Sequence, residues 1–267
     1  MLRNMTIGQF YNVDSVLHRI DPRVKLNIAF FYIVTLFLDK NPVLFVVAFF
    51  ALAVQIWLSK VPVRFIFRGM KTISAFILLT GALNLVTVKG ANVVWEWGII
   101  RVTEAGVSAA VYTSLRLMMM MIASSMMTYT TSATSLTDGM EKMFGWMRGI
   151  GVPVHELAMI MSIAIRFVPV LVEELNRIMK AQMARGVDFR EGNLFVRMKK
   201  LLPIVVPLFA SAVKRSQELA LAMDARGYHG GDGRTKMKPL KYRRRDIVAY
   251  LVLFLYVMVT VVVAIVL

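Results

Sequence analysis

Apolar residues gather along this chain in runs at 26–38, 43–58, 73–88, 106–127 and 247–267. A helix needs roughly 20 apolar residues to cross the hydrocarbon core of a bilayer, and the last two runs approach that length. The final run, DIVAYLVLFLYVMVTVVVAIVL, carries no charge after Asp246. The first two are separated only by Asp39-Lys40-Asn41-Pro42. That sequence suits a tight turn, because Pro42 biases Asn41 away from the helical region. Residues 26–58 therefore predict a helical hairpin whose first arm is tilted, bent or extended by flanking residues. One re-entrant segment is the alternative.

Between the fourth and fifth runs the pattern changes. LAMIMSIAIRFVPVLVEELNRIMKAQMARG and LLPIVVPLFASAVKRSQELALAMDARG are apolar at helical spacing on one face, with charge gathering toward their C-terminal ends. Pro153 predicts the first turn of the first helix, Pro169 a kink within it, and Pro203 and Pro207 lie early in the second. A shorter helix is expected from about 136 to 147, with Ser135 and Asp138 placed as a capping box.

Composition narrows the class. Hydrophobic types make up 58% of the 267 residues, against about 45–50% in soluble domains. The formal net charge is +16 and the mean hydropathy is +0.64. A soluble nucleic-acid binder could carry that charge but not that apolar surface, which would aggregate. An integral membrane protein with a basic side satisfies both values. With an inside N-terminus, segments 1–25, 59–72 and 128–246 hold 28 of the 32 Lys and Arg. Lys40, Lys89 and Arg101 fall outside, balanced by Asp39, Glu96 and Glu104, and Arg116 lies within a span. Short-loop positive charge sets orientation, so five spans with the N-terminus in and the C-terminus out are self-consistent, with Trp95 and Trp97 in an outer aromatic belt. The first residues have no apolar core of a signal peptide, so none is expected to be cleaved. Cysteine is absent and the three His, at 18, 155 and 229, are scattered, so neither disulfides nor a metal cluster are expected.

The two long amphipathic helices end alike. The first closes on Ala184-Arg185-Gly186 and the second on Ala225-Arg226-Gly227, the glycines lying 41 residues apart. Each tripeptide places a long cation on the last turn, with Gly in the left-handed stop position. An arginine fork on a slim tip can bond carboxylates or main-chain carbonyls of a partner. A plain helix C-cap is the bland alternative, and the residues alone leave it open.

These paired ends resemble those of the transmembrane coupling (T) component of energy-coupling factor (ECF) transporters, the EcfT/CbiQ-like family of ATP-binding-cassette importers. Ser15-Val16-Leu17-His18-Arg19-Ile20-Asp21-Pro22-Arg23-Val24-Lys25-Leu26 is similar to the family's N-terminal motif, and Arg166-Phe167-Val168-Pro169 precedes the first coupling end as it does there. The likeness runs from about residue 5 to the end of the chain, with Asp224 standing where Glu is frequent. It implies an all-α polytopic membrane protein of about five transmembrane helices plus long amphipathic cytoplasmic coupling helices. The corresponding regions are 1–127 with about four spans, 128–246 with the two coupling ends, and 247–267 as the last span. The resemblance also implies a role. Such a chain links two cytoplasmic ATPases, identical or different, to a substrate-binding membrane S component for vitamin or metal-ion uptake. Arg185 and Arg226 would be the coupling arginines, flanked by Ala184, Gly186, Ala225 and Gly227. The chain itself would be non-catalytic and bind no cofactor, ATP and Mg residing on the ATPases, in a bacterial or archaeal cell membrane.

Other features carry a bland and a sharper reading together. His18, Asp21, Pro22 and Arg23 fit a cytoplasmic anchor for the first helix, and Arg166 and Pro169 a structural element of the coupling helix. Arg116, ten residues into an apolar run, must pair, snorkel or face a partner. Nine of the 20 Met fall between Met118 and Met147, either filling a span or forming an adaptable surface for different S components. The basic run from Lys236 to Arg245 is a topology anchor or an anionic-lipid site. Enzyme-like motifs fail: Met159 stands where a zinc-protease HExxH starting at His155 needs its second ligand, and Tyr228 where a phosphate loop ending Gly233-Arg234-Thr235 needs its first Gly. A conventional ABC permease and a small channel or membrane enzyme remain the competing classes, and two arginine tips on one chain count against both.

Overall fold

The computed structural model describes residues 10–38, 41–71, 73–90, 92–97, 100–189, 191, 193–230 and 239–266. The chain is an all-α polytopic membrane protein. In order it forms α1 (Pro22–Leu38), α2 (Pro42–Ser59), α3 (Val63–Met70), α4 (Ser74–Thr87), strands β1 (Val93–Trp97) and β2 (Ile100–Thr103), α5 (Glu104–Thr130), α6 (Ala133–Met143), a 3-10 turn Gly145–Ile150, α7 (Val154–Ala184), α8 (Leu194–Ala225) and α9 (Arg244–Val266). Helices α2, α5, α7 and α9 are long and apolar enough to cross a membrane, while α4 is a shorter apolar helix. The chain divides into two compact units, the first comprising Met1–Gly139 with Leu240–Leu267 and the second Met140–Pro239.

In the first unit α5 is the common neighbour, packing against α1, α2, α3 and α4, while α9 packs on α1 and α2. Residues 26–58 form two helices joined at Asn41-Pro42. Asn41 caps α2, its side chain accepting from the Val43 amide at 3.3 Å, and Pro42 occupies the first turn, where its missing N–H costs nothing. The arms are joined across their faces by the Tyr32 hydroxyl, which donates to the Ala48 carbonyl at 3.0 Å. A methyl at Gly81 of α4 would lie 2.8 Å from Ser114 Oγ, so α4 and α5 approach closely there. Leu36, Ala48, Leu52, Ile66, Met119, Ile122, Met126 and Tyr129 form the buried core.

Two elements depart from the sequence expectation here. The loop between α4 and α5 is an antiparallel hairpin, with Trp95 paired to Val102 and Trp97 to Ile100 in register. Val93, Val94, Trp95, Trp97, Ile100, Val102 and Thr103 are β-branched or aromatic, which suits a pleated ribbon better than an irregular loop. The Trp95 and Trp97 side chains, expected in an aromatic belt, lie outside the described residues. The methionines divide: Met119 and Met126 are buried in the core and Met118 and Met120 pack against it, whereas Met140 is exposed. Burial removes Met119 and Met126 from any partner surface.

The short helix α6 begins earlier than expected. Ser132, not Ser135, caps it: the Ser135 amide donates to Ser132 Oγ at 3.3 Å, the bond from the third helical residue back to the cap. The chain leaves α5 in an extended conformation at Thr131, so the first available capping hydroxyl is the one at 132, and the expected Ser135–Asp138 box does not form.

In the second unit α7 and α8 run antiparallel. Glu174 of α7 lies 3.8 Å from Arg215 of α8, and residues 159–167 line one cavity with residues 219–230. Lys200 Nζ donates to the carbonyls of Asp188 and Glu191 at 2.6 and 3.1 Å, tying the connection to α8. Helix α7 runs through Pro169 without a break. Helix α8 starts at Leu194, so Pro203 and Pro207 stand in its interior rather than early in it. The preceding LFVRMKK continues the helical spacing of apolar positions upstream of both prolines, and Asn193 precedes it as the cap residue.

Met126 is fully buried and Met140 is 43% exposed, which makes a paired comparison. Met126→Ala is expected to destabilise the first unit by about 2–5 kcal/mol, and Met140→Ala by less than about 0.5 kcal/mol. Thermal unfolding of the two variants in detergent checks the difference.

Candidate functional site

The two Ala-Arg-Gly ends adopt the same geometry. At the end of α7, Arg185 is the cap and Gly186 has φ +86°. The Gly186 amide donates to the Met183 carbonyl at 3.0 Å and the Val187 amide to the Gln182 carbonyl at 3.1 Å. At the end of α8, Arg226 is the cap and Gly227 has φ +72°. Here the Gly227 amide donates to Asp224 at 2.8 Å and the Tyr228 amide to Met223 at 3.0 Å. Each is a complete Schellman motif, the two-bond arrangement that satisfies the last carbonyls of a helix. Only a residue tolerating positive φ can sit after the cap, which accounts for the two glycines.

The consequence is a pair of exposed arginines, each with an exposed Ala before it and an exposed Gly after it. Because the helices are antiparallel, the tips stand at opposite ends of the pair. Arg226 lies beside the Met159–Phe167 stretch of α7. From there to Ala184 the helix continues for about 30 Å at 1.5 Å per residue. Arg166 and Arg226 line the same cavity of about 710 Å³ with Met159, Ile163, Phe167, Leu219, Met223, Tyr228 and His229. Thus Arg166 and Arg226 are brought together, while Arg185 stands apart. Pro169 is exposed on α7.

A second cluster lies in the first unit. Both ring nitrogens of His18 are engaged: Nε2 lies 2.8 Å from the Tyr11 carbonyl and Nδ1 2.7 Å from Ser15 Oγ. A carbonyl only accepts, so Nε2 carries the proton and the Ser15 hydroxyl donates to Nδ1. Burial pushes the His18 pKa down, and the nearby Lys25 charge acts in the same direction. Asp21 caps α1, accepting from the Arg23 amide at 2.9 Å, with Pro22 at the first helical position. Arg23 adds a two-pronged pair to the same carboxylate at 3.0 and 2.9 Å, and its guanidinium lies 3.9 Å from the centre of the Tyr242 ring. Burial opposes ionisation of Asp21, and the bonds from Arg23 outweigh it, holding the carboxyl below its ordinary value. His18, Asp21, Pro22 and Arg23 are therefore neighbours in one turn of chain.

That cluster also contains residues the sequence did not single out. Lys25 is 7% exposed and Asp246 2% exposed. Lys25 Nζ donates to the Thr130 carbonyl at 2.7 Å, and to the His18 carbonyl and Thr131 Oγ1 at 3.3 Å each. Asp246 accepts from the amides of Asp21 and Arg243 at 2.8 and 2.7 Å. A lone acid at the edge of an otherwise uncharged apolar run was the available signal for Asp246. Arg116 is half-buried on α5. In the basic run, Lys241, Tyr242, Arg243 and Arg244 are exposed, and Lys236 and Lys238 lie outside the described residues. His155 of the incomplete HExxH pairs instead with Glu141 at 2.9 Å. Among the described residues no group of three or more His, Cys, Asp and Glu could hold a metal ion.

Nothing lies within 4 Å of a methyl added at Gly186 or Gly227, so a substitution there reports backbone strain alone. Gly186→Ala and Gly227→Ala are each expected to weaken their helix end by about 1–2 kcal/mol. Amide hydrogen exchange at Val187 or Tyr228 should then quicken by about five- to thirtyfold. His18 sets a pH dependence. With a folded pKa below the free value of 6.5, its contribution to stability is present above that value and is lost as pH falls through the folded pKa. His18→Gln should flatten the unfolding midpoint between about pH 5 and 7 relative to the parent chain.

Comparison with known proteins fits this architecture. The CbiQ family model, described as cobalt transport protein, matches residues 14–237. The chain is 46% identical over 253 residues to the energy-coupling factor transporter transmembrane protein EcfT of Acidaminococcus fermentans, covering 95% of this chain and 94% of that protein. It is 46% identical over 254 residues to the protein of the same name from Clostridium kluyveri, covering 94% and 93%, and 43% identical over 251 residues to that of Thermosediminibacter oceani, covering 94% of each. With helices built to span a bilayer and a near full-length match to these transporter subunits, the chain belongs to the CbiQ/EcfT family of energy-coupling factor transporter transmembrane proteins.

Proposed function

We propose that this chain couples two cytoplasmic ATPases to a membrane S component that captures a vitamin or metal ion for uptake. The observation that carries the reading is the pair of matched helix ends in one unit, each presenting an exposed arginine on a tip that its own glycine closes. Tips about 30 Å of helix apart call for two separate grooves, and an ATPase dimer supplies them. Arg185, with Ala184 and Gly186, enters one ATPase; Arg226, with Ala225 and Gly227, enters the other. Small residues before each arginine let the tip approach, and the planar fork meets a carboxylate or exposed carbonyls.

ATP binding closes the ATPases, draws the tips together and shifts the paired helices, which reorients the S component and releases its cargo inside. Supporting a membrane-embedded partner, α8 presents Phe195, Met198, Leu202, Val205, Phe209 and Val213 at helical spacing, all exposed and between 39% and 81% accessible. The chain acts as a non-catalytic subunit, and ATP and Mg belong to the ATPases. The N-terminus is cytoplasmic, because that orientation keeps the basic segments inside. His18, Asp21, Pro22 and Arg23 anchor the start of α1, while Arg166 and Pro169 shape the first coupling helix.

Charge reversal tests the assignment directly. Arg185→Glu and Arg226→Glu should each cost about 2–5 kcal/mol at the ATPase contact. In co-purification they should release the ATPases, or leave hydrolysis uncoupled from uptake. A double variant that assembles with both ATPases and transports normally would overturn the assignment.

A further inference from the structure

We infer that the first turn of α1 is a mechanical latch, with Lys25 and Asp246 as its positioning residues, from which both passages of the chain into the second unit are held. The inference rests on the coupling function proposed above. The chain leaves the first unit after Gly139 and returns to it at Leu240. Both flanks of that excursion are fastened within the first unit to the same few residues, 21–25.

On the outgoing side, Lys25 Nζ grips the end of α5 through Thr130 and Thr131. Further along, a methyl at Gly139 on α6 would lie 2.9 Å from Pro22 Cβ, so α6 rests directly on the α1 start. On the returning side, Arg23 stacks on Tyr242. Asp246 bonds the Asp21 amide and, through its other oxygen, the Arg243 amide. The three protons of the ammonium meet three acceptors, two of them main-chain carbonyls on different segments. Asp246 likewise joins the main-chain amides of Asp21 and Arg243, 222 positions apart in the chain.

A buried ammonium and a buried carboxylate that paired only with each other would be replaceable by apolar packing. Their bonds instead run to backbone at the two flanks of the excursion, which is the arrangement needed to hold those flanks in step. When the ATPases displace the second unit, this turn resists or relays the displacement into α1, α5 and α9. An element with fixed contacts on both flanks transmits motion, and one with those contacts cut lets the units move independently.

The test uses the chain in complex with its ATPases and S component, reconstituted in lipid. The chain has no Cys, so nitroxide labels can be placed at Lys180→Cys on α7 and Val248→Cys on α9, both exposed positions. The distance between them is measured without nucleotide and with ATP and vanadate. In the parent complex the distance changes with nucleotide. In Lys25→Met, Asp246→Asn and Gly139→Ala the complex should assemble and hydrolyse ATP, while the label distance broadens and no longer responds. Gly139→Ala loosens the same turn by wedging α6 and leaves every charge in place, so it decides the matter if the charge variants fail to fold. An unchanged nucleotide response in the assembled variants overturns the latch and leaves the coupling function standing. Failure of all three to assemble also overturns it, because the turn would then be a folding element. If the unmodified chain binds no ATPase, the coupling function itself falls.

Discussion

A buried ammonium has to find acceptors, and where Lys25 finds them organises the first unit. Its contacts are main-chain carbonyls and one hydroxyl rather than a single carboxylate, so they tie together the segment before α1 and the end of α5. Taking an ion out of water costs several kcal/mol unless its hydrogen bonds are remade, and remaking them needs this arrangement of chain. Around it, Asp21 caps α1 and pairs with Arg23, and Asp246 holds the start of α9 against the start of α1. Charge is thereby concentrated at one end of the helices, leaving their apolar lengths free for lipid.

Those apolar lengths are thinly covered by the protein itself. Only 6% of the most apolar window of α9, and 6% of that of α7, is buried inside the chain. For α9 the bilayer is the natural cover. In α7 the apolar first half gives way to Glu173, Glu174, Arg177 and Lys180, a gradient that ends in a polar tip. Length and composition qualify α7 as a span, whereas its polar C-terminal half and its partner α8 are built to present their ends. A membrane-spanning chain leaves apolar surface for the bilayer, which is why a small core coexists with so many exposed Phe, Leu and Val.

Much of this was legible along the chain. The five apolar runs correspond to α1, α2, α4, α5 and α9 because a continuous stretch of uncharged residues has no way to satisfy its backbone in lipid except as a helix. Asn41-Pro42 read as a break for local reasons that survive in the fold. What misled was also local. Ser135 and Asp138 have capping spacing, but Ser132 stands nearer the point where the chain leaves α5 and takes the cap first. The strands β1 and β2 escaped notice because a short ribbon beside long apolar helices contributes little to a hydropathy pattern. Lys25 and Asp246 were hidden differently, since nothing in their neighbours along the chain predicts an acceptor 105 residues from the ammonium or a donor 225 residues from the carboxylate.

By itself, the sequence determined the class, the apolar helices and the two arginine-bearing helix ends, because hydropathy, helical period and the left-handed preference of glycine act over a few neighbouring residues. Only the tertiary structure decided that α7 and α8 run antiparallel, so that their tips face opposite ways. It also decided that Met119 and Met126 are core, and that one turn of α1 gathers α5, α6 and α9. Those outcomes depend on which distant surfaces meet, and burial of charge at such a meeting is settled by geometry that no local pattern encodes.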